Sequence, residues 1–246
     1  MFVLALAVAV VLSLVWPTRR RRRRGPPPVR DTGPAWRRMY GRRSFLRLGG
    51  ALVAAGALAY SGGDEAVEAW HARTVRGPAS DALARLVKPQ GERFWFLVWL
   101  ATALLDAGWR SSPFSRWGRA NFEAMLVGLP TLWTLQYGLG SNRPSDEQTD
   151  PRWHPLENHN GASGHTFMAA IPWLNLARRS SQAVSRQLAR GASLVTGWSR
   201  LNDRAHYPSQ ILLGWMVAWN ATTAVARRAE RPAAEPPAEP PSGRAP

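Results

Sequence analysis

The sequence predicts an all-α protein, an integral membrane helical bundle of about six helices. Apolar stretches recur along the chain at close to spanning length. The turns between them alternate between Arg-rich and acid-containing. Thirteen Trp among 246 residues add to this, because the indole ring favours the membrane interface, where one end is dry and the other wet. The mean hydropathy of −0.26 hides the pattern, since an Arg-rich segment and a Pro-rich tail dilute the apolar stretches.

Residues 1–16, MFVLALAVAVVLSLVW, form a continuous apolar N-terminal segment, a short span if tilted or if Trp16 sits at the interface. Residues 17–47 read as an Arg/Pro-rich cytoplasmic linker. Between 19 and 47 twelve Arg face one acid, Asp31, so +11 of the net charge of +16 sits there. A basic run beside apolar segments anchors topology, so a membrane bilayer is the expected partner and nucleic acid is not. Arg42-Arg43-Ser44-Phe45-Leu46 resembles a twin-arginine export signal, with Ala57-Leu58-Ala59 as a cleavage site. Its distance from residue 1 favours a retained span, unless the chain starts at Met39. The absence of cysteine excludes a disulfide, a thiolate metal site and a Cys nucleophile.

The membrane domain is read as 48–226. Its first span lies near 48–60. Residues 64–92 are partly amphipathic, with Leu83, Leu86 and Val87 near helical spacing, and lie along the membrane surface or cover the bundle. Apolar stretches follow at 93–109, 120–139, 164–177 and 207–226, with a weaker one at 188–202. Pro130 and Pro172 are tolerated where neighbouring helices satisfy the freed carbonyls. Residues 227–246, with repeated Ala-Glu-Pro-Pro, are a disordered Pro-rich tail. Loops 110–119 and 178–190 carry Arg without acid, whereas 140–163 holds Asp146, Glu147, Asp150 and Glu157. The charge bias puts the first two loops inside, and 140–163 and 199–210 together outside. This is the arrangement of a multi-pass protein of a bacterial-type cytoplasmic membrane, with its site facing the periplasm.

Both outside loops hold what a phosphate site needs. The first has Arg143-Pro144 and Ser163-Gly164-His165; the second has Ser199-Arg200 and His206. Guanidinium forks match phosphate oxygens. Ser163 and Gly164 open a helix whose positive end favours an anion. Two His supply a nucleophile and a proton donor near neutral pH. His154 and His159 share a loop with Asp150 and Glu157, but their spacing fits no common zinc pattern, and no metal or cofactor is expected.

In order and spacing these blocks resemble the type 2 phosphatidic-acid phosphatase family over about residues 64–226. The family reads Lys, six residues, Arg-Pro; then Pro-Ser-Gly-His; then Ser-Arg, five residues, His, three residues, Asp. Here they stand as Gln136 to Arg143-Pro144, Ala162-Ser163-Gly164-His165, and Ser199-Arg200 to His206 and Gln210. The resemblance implies an acid phosphatase/haloperoxidase-like helical core. It implies His206 as nucleophile through a phosphohistidine and His165 as acid to the leaving oxygen. It also implies Arg143, Arg200, Ser163 and the Gly164 N–H as phosphate cradle, with Gln136 as a further phosphate contact. The implied substrate is a lipid phosphate monoester or diphosphate, of the phosphatidate or polyprenyl diphosphate class, cleaved without metal.

Three positions depart. Ala162 replaces a Pro and removes no reacting group. Gln136 replaces the Lys, and Gln210 replaces the Asp that orients the nucleophile. One cation and one anion go together, which reads as a retuned site. A carboxylate would stabilise an imidazolium better than an amide, so if Gln210 only orients His206, Gln210→Asp is expected to keep or raise activity. Asp203, three residues before His206, is an alternative carboxylate, and Lys88, the sole lysine, an alternative cation. Two rivals remain: a non-catalytic phospholipid-binding membrane protein, and a vanadium haloperoxidase, disfavoured by the absent Lys.

The topology is testable because the chain has no native Cys. Gln148→Cys should react with an impermeant thiol reagent in intact cells. Labelling only after lysis would contradict the outward placement of 140–163.

Overall fold

The computed structural model describes residues 32–108 and 112–229. The expectations for 1–16, for the linker up to Asp31, for Arg110 and for the tail beyond Ala229 lie outside these residues. The described chain is all helical: α1 (Gly33–Met39), α2 (Arg42–Tyr60), α3 (Gly63–Thr74), α4 (Pro78–Val87), a 3₁₀ turn (Lys88–Gly91), α5 (Trp95–Gly108), α6 (Pro113–Leu139), α7 (Gly164–Arg179), α8 (Ala183–Asn202) and α9 (Pro208–Ala229).

The boundaries follow local chemistry. Ser112 caps α6 by accepting from Ser115 N at 3.0 Å, while Ser115 Oγ accepts from Ser112 N at 2.8 Å and Pro113 takes the first turn. Ser163 caps α7 in the same way, accepting from Thr166 N. The six long helices match the six apolar stretches. Within the stretch read as linker, residues 33–39 and 42–47 are helical.

Phe167, Met125, Ile171, Leu174, Leu213, Val127 and Val217 fill the core between α6, α7 and α9. This interior is also unusually polar. Asn175 Nδ2 donates to Asn121 Oδ1 at 2.9 Å, Asn220 Nδ2 to Ser44 O at 3.2 Å, and Arg119 pairs with buried Asp106 at 2.9 Å. These pairs lower helix hydropathy while giving buried polar groups partners, although Asn121 Nδ2 and Asn220 Oδ1 have no partner among the described residues. Among the described residues no single helix is long and apolar enough to cross a membrane. The pair Arg42–Tyr60 and Gly63–Thr74 is so only jointly, bent by 70°, and Trp95–Ala107 is a shorter apolar helix.

The bundle has two unlike ends. At one, Arg38 Nε donates to Ala224 O at 2.7 Å and Arg179 Nη2 to Arg116 O at 2.9 Å. At the other, buried Asp64 of α3 caps α9 from outside that helix. Its carboxylate accepts from Ser209 N at 2.9 Å and Ser209 Oγ at 2.5 Å. A carboxylate at a helix N-terminus meets unpaired N–H groups and the positive end of the dipole. Gly214 brings α9 against the start of α7. A Cβ there would lie 2.3 Å from Ser163 O, so a side chain would push the two helices apart.

Asp64→Ala should destabilise the fold by about 2–3 kcal/mol, the scale for losing buried hydrogen bonds to a charged group. Melting in detergent, with exposed Glu65→Ala as control, measures it. Equal melting temperatures for the two variants would show that the cap is not structural.

Candidate active site

The structure brings the three sequence blocks together at the end of the bundle where α7 and α9 begin. The residue that joins them is Gln210, in the first turn of α9 and almost fully buried. Its backbone carbonyl accepts from Ser163 N at 2.9 Å, which ties the second block to the third. Its side-chain Nε2 donates to Ser141 Oγ at 2.9 Å and Asn142 O at 2.8 Å, which ties in the first. Its Oε1 accepts from Tyr207 N at 3.2 Å and lies 2.7 Å from His206 Nδ1.

Two backbone groups fix this amide's orientation. Tyr207 N–H can only donate and Asn142 C=O can only accept. Oε1 therefore points to His206, and His206 Nδ1 must carry the proton. The lone pair is left on Nε2, the tautomer a nucleophile needs.

His206 sits in the turn between α8 and α9. That turn closes with Ala205 N and His206 N both donating to Arg200 O, at 2.9 and 3.2 Å. Arg204 takes the left-handed conformation at φ 53°, and its Nε pairs with Glu68 of α3 at 2.8 Å. Burial drives the His206 pKa down to about 3. The Gln210 hydrogen bond opposes this, and the charges of Arg143, His165 and Arg200 reinforce it. The ring is neutral at physiological pH, with its lone pair available.

Arg143 and Arg200 both lie within electrostatic reach of His206. Arg143 Nε donates to Asn160 Oδ1 at 3.0 Å, which steadies it in a loop where Asn160 N and Ser141 N both donate to Asn158 Oδ1. Arg200 is buried and pairs through Nη2 with Asp203, while its buried Nε has no hydrogen-bond partner in the described structure. A buried donor left open is costly unless an anion takes it. Ser163 Oγ accepts from Thr166 N at 3.3 Å and Thr166 Oγ1 at 2.9 Å, so the O–H of Ser163 remains a donor. Gln136 Nε2 donates to Ala162 O at 3.1 Å and lies 3.2 Å from where a Cβ on Gly164 would stand. It braces the loop that leads into Ser163-Gly164.

Two alternatives raised by the sequence resolve differently. Asp203 is paired with Arg200, and the partner of His206 is Gln210. Lys88 lies in the 3₁₀ turn, and its charge reaches His165. Sequence reasoning missed Glu92, whose Oε1 stands 3.4 Å from His165 Nε2. It also missed Asn160, Asn158 and Ser141, which position Arg143 and Gln210. Only their place in the acidic loop, Ser141 within the first block and Asn158 and Asn160 between the first and second, could have drawn attention to the last three.

A model of the PAP2 superfamily matches residues 124–232, which include all three blocks. No curated protein and no solved structure matches the chain significantly.

Gln210 does more than orient His206, so the condition for a tolerated Gln210→Asp is not met and the opposite outcome is expected. A carboxylate accepts but does not donate, and Asp is one methylene shorter. The bonds to Ser141 and Asn142 would be lost, and a negative charge would face the Asn142 carbonyl. Gln210→Asp should lower both the melting temperature and turnover, the latter about tenfold or more. A carboxylate also favours the His206 imidazolium, so the acid limb of the rate profile should move to higher pH. Turnover equal to or above wild type would contradict the role of the amide N–H.

Proposed function

We propose that this chain, whose residues 124–232 belong to the PAP2 superfamily, hydrolyses a lipid phosphate monoester or diphosphate at the outer face of a membrane. Membership in the superfamily supports phosphatase chemistry on phosphate esters. The observation that carries the reading further is the His206 tautomer. Gln210 holds Nδ1–H, burial keeps the ring neutral, and Arg143 and Arg200 flank it. A neutral imidazole beside two guanidinium groups is arranged to attack a phosphorus atom whose oxygens are held by cations.

In this reading His206 Nε2 forms a bond to phosphorus as the P–O bond to the lipid breaks. His165 gives its proton to the departing oxygen. Water then attacks the phosphohistidine, His165 takes a proton from that water, and the N–P bond breaks to release inorganic phosphate. Arg143, Arg200, the Ser163 hydroxyl and the N–H groups that open α7 stabilise the charge on the equatorial oxygens, where phosphoryl transfer gains most of its rate.

Several features support a membrane setting. Val53, Leu97, Leu104, Trp133, Leu176 and Leu194 are large apolar side chains left exposed on five different helices. Apolar exposure on this scale marks an interaction surface. The arginines at the opposite end from the site fit the positive-inside rule. A lipid substrate follows, since its tail stays in the bilayer while its phosphate reaches the bundle end.

Phosphate release from a panel of lipid phosphates by purified protein tests this. Wild type should turn over at least one of them. His206→Ala should fall on the order of 10³-fold or more, to background. His165→Ala should lose the lipid substrates but retain part of its rate on an activated aryl phosphate, which needs less protonation. Wild-type protein that binds a lipid phosphate yet releases no phosphate from any would identify a binding protein instead.

A further inference from the structure

We propose that the segment 88–92 supplies the charge pair that positions 136 and 210 lack: Glu92 as the carboxylate that holds a proton on His165, and Lys88 as a cation for the phosphate. The proposal deepens the phosphatase reading and rests on it for the word acid. Both residues lie outside the stretch 124–232 that matches the superfamily.

The segment is clamped onto the site. A Cβ on Gly91 would lie 2.6 Å from His165 O and 2.8 Å from His165 Cα and Cβ, so only glycine lets the turn settle on this backbone. Trp173 Nε1 of α7 donates to Gln90 Oε1 at 2.9 Å. Thr196 Oγ1 of α8 donates to Val87 O at 3.3 Å, and Trp95 Nε1 of α5 to Pro89 O at 2.8 Å. Three helices thus hold five residues in place, and Glu92 follows directly, with Oε1 3.4 Å from His165 Nε2.

The charges around His165 make this contact consequential. Lys88 faces it from the 3₁₀ turn, Arg200 from α8 and His206 from the α8–α9 turn. Arg143 stands behind, near His206 and Arg200. Burial first, and then the fixed cations Arg200 and Lys88, push the His165 pKa below its ordinary value, and Glu92 opposes them. Asp203 is engaged with Arg200. Among the described residues whose charge reaches His165, Glu92 is the one anion. A general acid must carry its proton before the phosphate is cleaved, and Glu92 is the group placed to keep it there.

Lys88 follows from the geometry of the turn. At three residues per turn, positions 88 and 91 share a face, and the face of Gly91 is the one against His165. Its ammonium is a compact mobile charge suited to phosphate. The turn thus returns one cation and one anion, the two charges that the glutamines at 136 and 210 do not provide.

Two measurements on the full chain in detergent test this, and neither needs turnover. The first follows the His165 ring by NMR in ¹⁵N-histidine-labelled protein. Glu92→Gln, which keeps shape and removes charge, should lower the protonation midpoint of His165 by about one pH unit, and Glu92→Asp should largely restore it. An unmoved midpoint would overturn the role of Glu92, because a merely structural residue does not change it. The second is calorimetry with orthovanadate. Lys88→Met should weaken binding about tenfold or more, and Lys88→Arg should recover it; equal affinity for all three proteins would overturn the role of Lys88. In turnover assays the basic limb of the Glu92→Gln rate profile should shift to lower pH together with the midpoint. Shifted midpoints in a protein that cleaves no lipid phosphate would sink the phosphatase reading while the charge assignment stands.

Discussion

The site depends on one side-chain amide. Gln210 can donate and accept at the same time, and it uses both capacities in a buried position. Its N–H groups hold the loop after α6 through Ser141 and Asn142. Its side-chain oxygen holds His206, and its backbone carbonyl holds the start of α7 through Ser163. A carboxylate has no side-chain N–H; it can serve the second contact and leaves the backbone one untouched, but it loses the first. The replacement of an acid by an amide at this position is therefore no simple loss. It exchanges a charge next to His206 for a fastening of the loop after α6, which carries Arg143.

The rest of the fold delivers these loops to one place. Two helices, α7 and α9, begin at the site, so their positive ends converge where an anion would lie. Gly214 lets them approach, and Asp64 takes up the capping positions of α9 from a separate helix. That leaves the α7 terminus, with Ser163 and Gly164, as the one open to a ligand. The interior below is stabilised by matched polar pairs such as Asn121 with Asn175, as well as by apolar packing. These pairs help explain why, among the described residues, no single helix is long and apolar enough to cross a membrane, although Val53 and Leu104 are exposed.

Much of this was legible in the sequence. The six long helices lie where six apolar stretches run, and α7 opens at Ser163-Gly164 as that pair indicated. The three blocks were recognisable because residue types and spacings within each are local. What was hidden depends on contacts between distant residues. Asp64 meets Ser209 across 145 positions, and Glu92 meets His165 across 73. Neither has a local pattern to announce it. Gln210 was readable as a partner of His206, since four residues on a helix start bring them together. Its second role, towards Ser141 and Asn142, could not be read, and that role removes the condition on which the sequence-based expectation for Gln210→Asp rested. Gln136 was read as a phosphate contact from its motif position. The structure adds a nearer partner, the carbonyl of Ala162.

The central claim is that His206, with its proton fixed on Nδ1, accepts the phosphoryl group on Nε2. Phosphohistidine survives alkali, so the direct measurement is an alkaline quench during turnover of a lipid phosphate, followed by peptide mass spectrometry. The account predicts phosphate on His206, accumulating further when His165 is replaced and an activated aryl phosphate is the substrate, because the hydrolysis step then lacks its base. Rapid turnover with no phosphate on His206 under any of these conditions, or with phosphate on another residue, would contradict it.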